Sequence, residues 1–213
     1  MLALIILGLS TILISNTLLN EEYFMLEMQS LKNHFLIAMP NLEGPYFERS
    51  VVYLCDHNEE GAMGLVVNLA INLKLGELLD QLEIVPDPAH QKSLAKPVMQ
   101  GGPVAVDRGF VIHSPIEGFS SSLKMSDDIM VTTSKDILQT LGTDNEPKQF
   151  LMALGYAGWE AGQLEQEIIN NGWLIVPANS KIIFDTPIHR RWEEAANTLG
   201  IDVWQLSSQT GHA

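Results

Sequence analysis

Two apolar runs, Val51–Asp56 (VVYLCD) and Ala62–Asn68 (AMGLVVN), flank the short stretch His57-Asn-Glu-Glu-Gly61. Runs of this size have the length of strands rather than helices. A brief polar connection closing on glycine, which takes a left-handed backbone at little cost, makes them the arms of a hairpin. Both runs are apolar at odd and even positions alike, so neither can turn one face to water. The hairpin therefore belongs in the middle of a larger sheet.

The rest of the chain supplies strands for that sheet. His34–Met39 stops at Pro40. Pro97–Gly102, Gly109–His113, Leu123–Met125, Ile129–Thr132, Phe150–Tyr156, Trp173–Val176 and Lys181–Phe184 follow as further short runs between turn residues. Helical spacing is scattered among them. Leu75, Leu78, Leu79 and Leu82 recur at the right interval, and Pro86-Asp-Pro88 opens a polar loop that lasts to about Lys96. Ser134 is placed to cap a helix carrying Ile137, Leu138 and Leu141, closed by Gly142. A helix from about Glu160 to Asn170 buries Ala161, Leu164 and Ile168. Thr186 and Pro187 begin a last one with Ile188, Trp192, Ala195, Ala196 and Leu199 on its apolar side. Hairpins mixed with scattered helices indicate an α+β domain rather than a doubly wound sheet.

Charge narrows the function. The chain of 213 residues carries a formal net charge of −14, and no run of Lys or Arg offers a footprint for a phosphate backbone. Direct binding to nucleic acid is disfavoured, whereas a protein or small-ligand partner fits. The single cysteine, Cys55, precludes an intrachain disulfide and fits a reducing, cytoplasmic setting.

Residues 1–27 stand apart. MLALIILGLSTILISNTLLN resembles the apolar part of a signal peptide or short anchor, but no Lys or Arg precedes it and Ser10, Thr11, Ser15 and Asn16 interrupt it. A different reading is that the segment is not translated. Glu21-Glu22 implies a purine hexamer shortly before Met25 and Met28, as in a ribosome-binding site ahead of a start codon. That reading is preferred, with residues 28–213 as a single domain.

Several stretches together resemble one family. HFLIAMP (34–40), ERSVVYLCDHNEEGAMGLVVN (48–68), VMQGGPVAVDRGFVIHS (98–114), TSKDILQTLG (133–142), GYAGWEAGQLEQEIINNGWL (155–174) and the closing GHA (211–213) are similar to the bacterial AlgH/YqgE family, in order, from about Leu31 onward. The resemblance implies an α+β fold whose mixed, bifurcated β-sheet folds into a pseudo-barrel with peripheral helices. It implies a regulatory label but no established activity and no DNA-binding motif. Where members commonly read Asn-Lys-Pro, this chain reads Asn68-Leu69-Ala70.

The chemical candidates are few. In Cys55-Asp56-His57 strand alternation sends Asp56 to the opposite face from its neighbours, so the three converge only if a bulge intervenes. His57 falls at the hairpin mouth, a solvated position. The six histidines show no metal-ligand spacing, and neither a G-x-S-x-G elbow nor a phosphate or dinucleotide loop occurs, so no metal, cofactor or catalytic set is assigned. The loop Gln100–Gly109 is a candidate anion cradle, through the paired Gly101 and Gly102 with Asp107 and Arg108, or else a tight turn between strands. Glu160, Gln163 and Glu167 share a helix face, which reads as a solvated polar surface. Tyr156 and Trp159 are placed at a strand–helix junction. The surfaces to probe for a ligand or partner are thus Asn68, Gly101, Gly102, Asp107, Arg108, His113, Tyr156, Trp159, Gln163 and Glu167. The leading reading is a non-enzymatic binding protein in a regulatory setting. A hydrolase or transferase of unassigned class is the alternative, and a DNA-binding transcriptional regulator is the one charge opposes.

Overall fold

The computed structural model describes residues 30–40, 42 and 47–200. The expectations for residues 1–27 and for the closing GHA lie outside them. The described residues from Lys32 onward belong to one compact unit, and none of their helices is long and apolar enough to cross a membrane.

The hairpin forms as expected and is central. β1 (His34–Ala38), β2 (Val51–Asn58) and β3 (Gly61–Val66) pair antiparallel in that order. The strand pairing runs to Asn58↔Gly61, so the turn is tighter than the sequence indicates, and Gly61 takes a positive φ of 136°. β4 (Ala70–Lys74) runs into helix α1 (Leu75–Gln81), whose first turn is closed by Glu77 accepting from the Lys74 N–H at 2.8 Å. The polar loop that follows holds a 3-10 turn (Pro88–His90) and the short α2 (Gln91–Leu94).

β5 (Pro97–Gln100), β6 (Val104–His113), β7 (Ser122–Lys124) and β8 (Met130–Thr132) come next, then β9 (Phe150–Glu160), α3 (Gln163–Ile169) and β10 (Trp173–Pro177). The main path of the sheet is β10-β1-β2-β3-β9-β6-β8-β7, and β4–β5 branches from it. β9 is the branch point. Its Phe150–Leu154 half pairs antiparallel with β6 while Ala153 and Leu154 also pair in parallel with β5; its Ala157–Glu160 half pairs with β3. The mixed, bifurcated sheet curls into a half-barrel with few helices around it.

Gly101 occupies the fork. Its N–H donates to Leu154 O and its carbonyl accepts from Val66 N, both at 2.8 Å, so one residue ties β9 to β3. A Cβ on Gly101 would lie 2.2 Å from Gly155 O, and one on Gly155 (φ 73°) would lie 2.5 Å from Gly102 O. Only bare backbone permits three strands to meet this closely. One buried cluster unites Phe35, Tyr53, Phe110, Ile112, Leu151 and Trp192, and a second packs α1 and Ile137, Leu138 and Leu141 against Val111 and Met152.

Four local expectations are corrected. The run Lys181–Phe184 is helix α4 (Ser180–Phe184), because the Asn179 side chain caps Lys181 N at 3.0 Å; a four-residue apolar run fits either state. The helix after Ser134 is only a 3-10 turn (Ile137–Gln139), for the Ser134 hydroxyl bonds Asp136 and Asp136 takes the capping role. Thr186 donates back to Lys181 O instead of capping forward, and a 3-10 turn (Ile188–Arg190) leads into α5 (Arg191–Asn197), beyond which Leu199 is exposed. The strand expected to end at Tyr156 runs on to Glu160, which therefore belongs to β9 and not to the helix, because each residue from Ala157 to Glu160 has a partner on β3. Ala161 consequently falls outside α3 and is exposed.

Candidate functional site

The ten sequence candidates do not converge. Asn68 clasps the hairpin: Oδ1 accepts from Val51 N at 2.7 Å and Nδ2 donates to Arg49 O at 2.8 Å. Gly101 and Gly102 are buried at the fork, and the Gly101 N–H is spent on Leu154, so it is not free to cradle an anion. Asp107 and Arg108 lie in a four-residue bulge of β6, between Val104↔Tyr156 and Gly109↔Leu154. Both are exposed and line a cavity of about 220 Å³ beside Leu78, Thr132 and Met152. Tyr156 packs edge-on against Phe110, with centroids 5.9 Å apart.

His113 is fully buried. Its Nδ1 lies 2.8 Å from Ser114 O, an atom that only accepts, so Nδ1 carries the proton. Burial, opposed by that bond, holds its pKa below the ordinary value. The neutral ring can then accept at Nε2 from the Thr132 hydroxyl, 2.8 Å away, and Thr132 in turn meets Ser122 Oγ. Every polar atom of the ring is committed to the fold.

Trp159, Gln163 and Glu167 do meet. Glu167 Oε2 accepts from the indole N–H groups of Trp159 (2.9 Å) and Trp173 (2.8 Å), while Oε1 accepts from Gln163 Nε2 (2.9 Å). The two indoles cross edge-on with Phe47 beside them. Glu167 is thus a structural clamp and not part of a solvated face, whereas Glu160, at the end of β9, and Gln163 are exposed as that reading has them.

His57 is the other correction. It is buried, not solvated, and its Nε2 lies 2.7 Å from Glu165 Oε1 on α3. β2 does bulge between Leu54 and Asp56, yet Asp56 still points outward and Cys55 inward. Burial pushes the Cys55 thiol up, so it stays protonated and is no nucleophile. Among the described residues no three His, Cys, Asp or Glu side chains are grouped to hold a metal ion.

Residues that sequence reasoning passed over form the more capable site. Lys96 before β5, Lys148 before β9 and Arg191 at the start of α5 line one cavity of about 360 Å³. Its apolar wall is Met99, Leu151, Ile183 and Ile188. Arg191 is 7% exposed, although arginine is almost never this buried without an acidic partner. Its Nη1 donates to Val67 O and its Nε to Thr186 O at 3.1 Å, which ties α5 to the end of β3. No carboxylate lies within 4.0 Å of it among the described residues, and Nη2 makes no hydrogen bond to them. Burial lowers its pKa to about 10, so it remains a cation at neutral pH.

Lys96 sits with Nζ 3.5 Å from the centroid of Phe150, and burial lowers its pKa against the pull of Glu146. Glu146 itself is engaged elsewhere, by Ser93 Oγ at 2.5 Å and Gly142 N at 2.9 Å. Asp185, bonded to Gln149 Nε2 at 2.6 Å, is the one carboxylate in the lining. Three cations against one anion give this cavity the opposite sign to the chain as a whole. A signal for it was present in the sequence. Arg191 stands three residues after Ile188 and four before Ala195, a charge on an apolar helix stripe.

Known proteins resemble this chain along most of its length. A family model described as AlgH-like, DUF179, matches residues 35–204. A UPF0301 protein of Pseudoalteromonas translucida is 58% identical over 186 residues, 87% of this chain and all of that protein; one of Vibrio cholerae is 53% identical over 86% of this chain and its own full length. Among solved structures, the AlgH protein from Pseudomonas aeruginosa superposes with a TM-score of 0.70 at 44% identity, covering 87% of this chain and 97% of that one. A Corynebacterium diphtheriae protein shares the fold at 18% identity, with a TM-score of 0.61 over 82% of this chain and 90% of that one.

Proposed function

Since the chain belongs to the AlgH-like family, we propose that it is a non-catalytic, cytoplasmic protein that binds a small ligand in the cavity floored by Arg191 and exerts a regulatory effect through that binding. The observation that carries this reading is the preformed cavity of about 360 Å³ with an apolar wall and few convergent polar groups, the usual make-up of a small-molecule site. The candidates for chemistry are spent otherwise: Cys55 is a buried thiol, His113 is locked by its neighbours, and Glu167 holds two indoles. A role as a transcriptional regulator that grips DNA directly is opposed by the net charge of −14.

The test is a thermal-shift panel of nucleotides, organic acids, sugar phosphates and neutral metabolites. At about 100-fold excess over Kd a ligand of the native state adds about 2.7 kcal/mol, a shift of several degrees. At least one compound should raise the midpoint, and Ile183→Trp, which fills the cavity, should abolish the effect. A panel in which nothing shifts, or in which the shift survives Ile183→Trp, removes the reading. A salt-sensitive mobility shift with promoter DNA would favour the DNA-binding alternative instead.

A further inference from the structure

Taking the cavity as the ligand site, we infer that its ligand is a small organic phosphomonoester, with the phosphate held by Arg191, Lys96 and Lys148 and an apolar body lying along Met99, Leu151 and Ile183. The inference starts from Arg191. Burial strips most of the water from the Arg191 side chain, and the two carbonyls of Val67 and Thr186 are neutral partners that return only part of that loss. The nitrogen left over, Nη2, belongs to a side chain that lines the cavity. An anion placed there restores the missing charge partner through a short, charge-assisted bond.

Lys96 and Lys148 fit the same ligand. Neither makes a salt bridge to a described residue, and Lys96 is partly desolvated over the Phe150 ring. Three cations and the single Asp185 leave a local charge that matches a dianion better than a monocarboxylate. Lys148 and Asp185 are exposed whereas Met99, Ile183 and Arg191 are buried, so charged groups stand at the surface and the apolar lining lies beneath them. A cavity of about 360 Å³ admits a monophosphate of modest size. The walls of Met99, Leu151 and Ile183 offer nothing to a second charge, which selects an organic ester over inorganic phosphate.

The test titrates full-length protein, with isotope-labelled isoleucine and leucine methyls, against phenyl phosphate, benzoate, phenol and inorganic phosphate. Phenyl phosphate should move the Ile183 and Leu151 methyl signals and bind at least about tenfold tighter than phenol or inorganic phosphate. Lys96→Met and Lys148→Met should each weaken it about tenfold without changing the phenol response, and added salt should weaken it further. Arg191→Lys should do the same if it folds; if it does not, the two lysine variants decide alone. Phenol equal to phenyl phosphate, or affinity indifferent to both lysine variants, overturns the phosphomonoester and leaves the cavity a site for neutral ligands. Benzoate binding as tightly as phenyl phosphate overturns the dianion. Failure of all four probes, together with an empty thermal-shift panel, overturns the proposed function as well.

Discussion

At the scale of single residues, Glu167 does what its place in the sequence conceals. One of its oxygens receives two indole N–H groups, from Trp159 and Trp173, each 7% exposed or less. Bonds to a charged acceptor are worth about 1.5–3 kcal/mol, and buried donors left without one cost about as much. Glu167→Ala should therefore lower unfolding free energy by about 3 kcal/mol in urea titrations and shift the tryptophan emission to the red. Glu167→Gln, which keeps an acceptor, should lose about half as much. An alanine variant as stable as the parent would refute the clamp. Spacing showed that Gln163 and Glu167 share a helix face, and they do bond to each other. It could not show that the face meets two tryptophans, because β9 and β10 bring those from outside the helix. Arg191 is the counterexample, since a cation amid Ile188, Trp192 and Ala195 was visible as an anomaly and only its partners in the cavity were not.

Among the elements, β9 organises the rest. Its 11 residues pair with β3, β5 and β6, and the change of partner occurs at Gly155, where Gly101 crosses within contact of its carbonyl. Gly101→Ala drives a methyl to 2.2 Å from Gly155 O, backbone against backbone with no flexible side chain to yield. The expected loss is about 3 kcal/mol or more. Gly76→Ala in α1 is the matched control: the nearest atoms are Leu94 at 3.4 Å, and alanine is the better helix former, so it should be neutral or stabilise by up to about 1 kcal/mol. Equal effects of the two changes in chemical denaturation would refute the account of the fork. The hairpin, β1 and α1 were legible because their pattern and caps are local. The close approach at Gly155 fits a glycine that spares room for a second backbone, but that the strand runs on through Gly158 to Glu160 was hidden, because only the pairing with β3 defines it. The β6 bulge at Ala105–Arg108 was hidden for the same reason, as only the pairing to β9 defines it.

For the molecule as a whole, sign and place of charge pull apart. A net charge of −14 repels itself, whereas the Arg191 cavity is cationic. Raising salt from about 0.05 to about 0.5 M screens the first and weakens the second. The thermal midpoint of the free protein should rise by a few degrees across that range while affinity for an anionic ligand falls. Differential scanning calorimetry beside a binding titration checks both, and a midpoint that drops with salt would mean that attractive surface pairs outweigh the excess of carboxylates.

The pairing of Gly61 with Glu160 also sets a timetable. A ribosome adding about 5–20 residues per second releases the first about 5–20 s before the second. Throughout that interval the nascent hairpin holds its central strand as a bare edge, open to any neighbouring chain with a strand to offer. Gly61, Ala62, Met63 and Gly64 are the register positions left waiting, and they form the stretch at which a chaperone contacting the growing polypeptide would protect the fold.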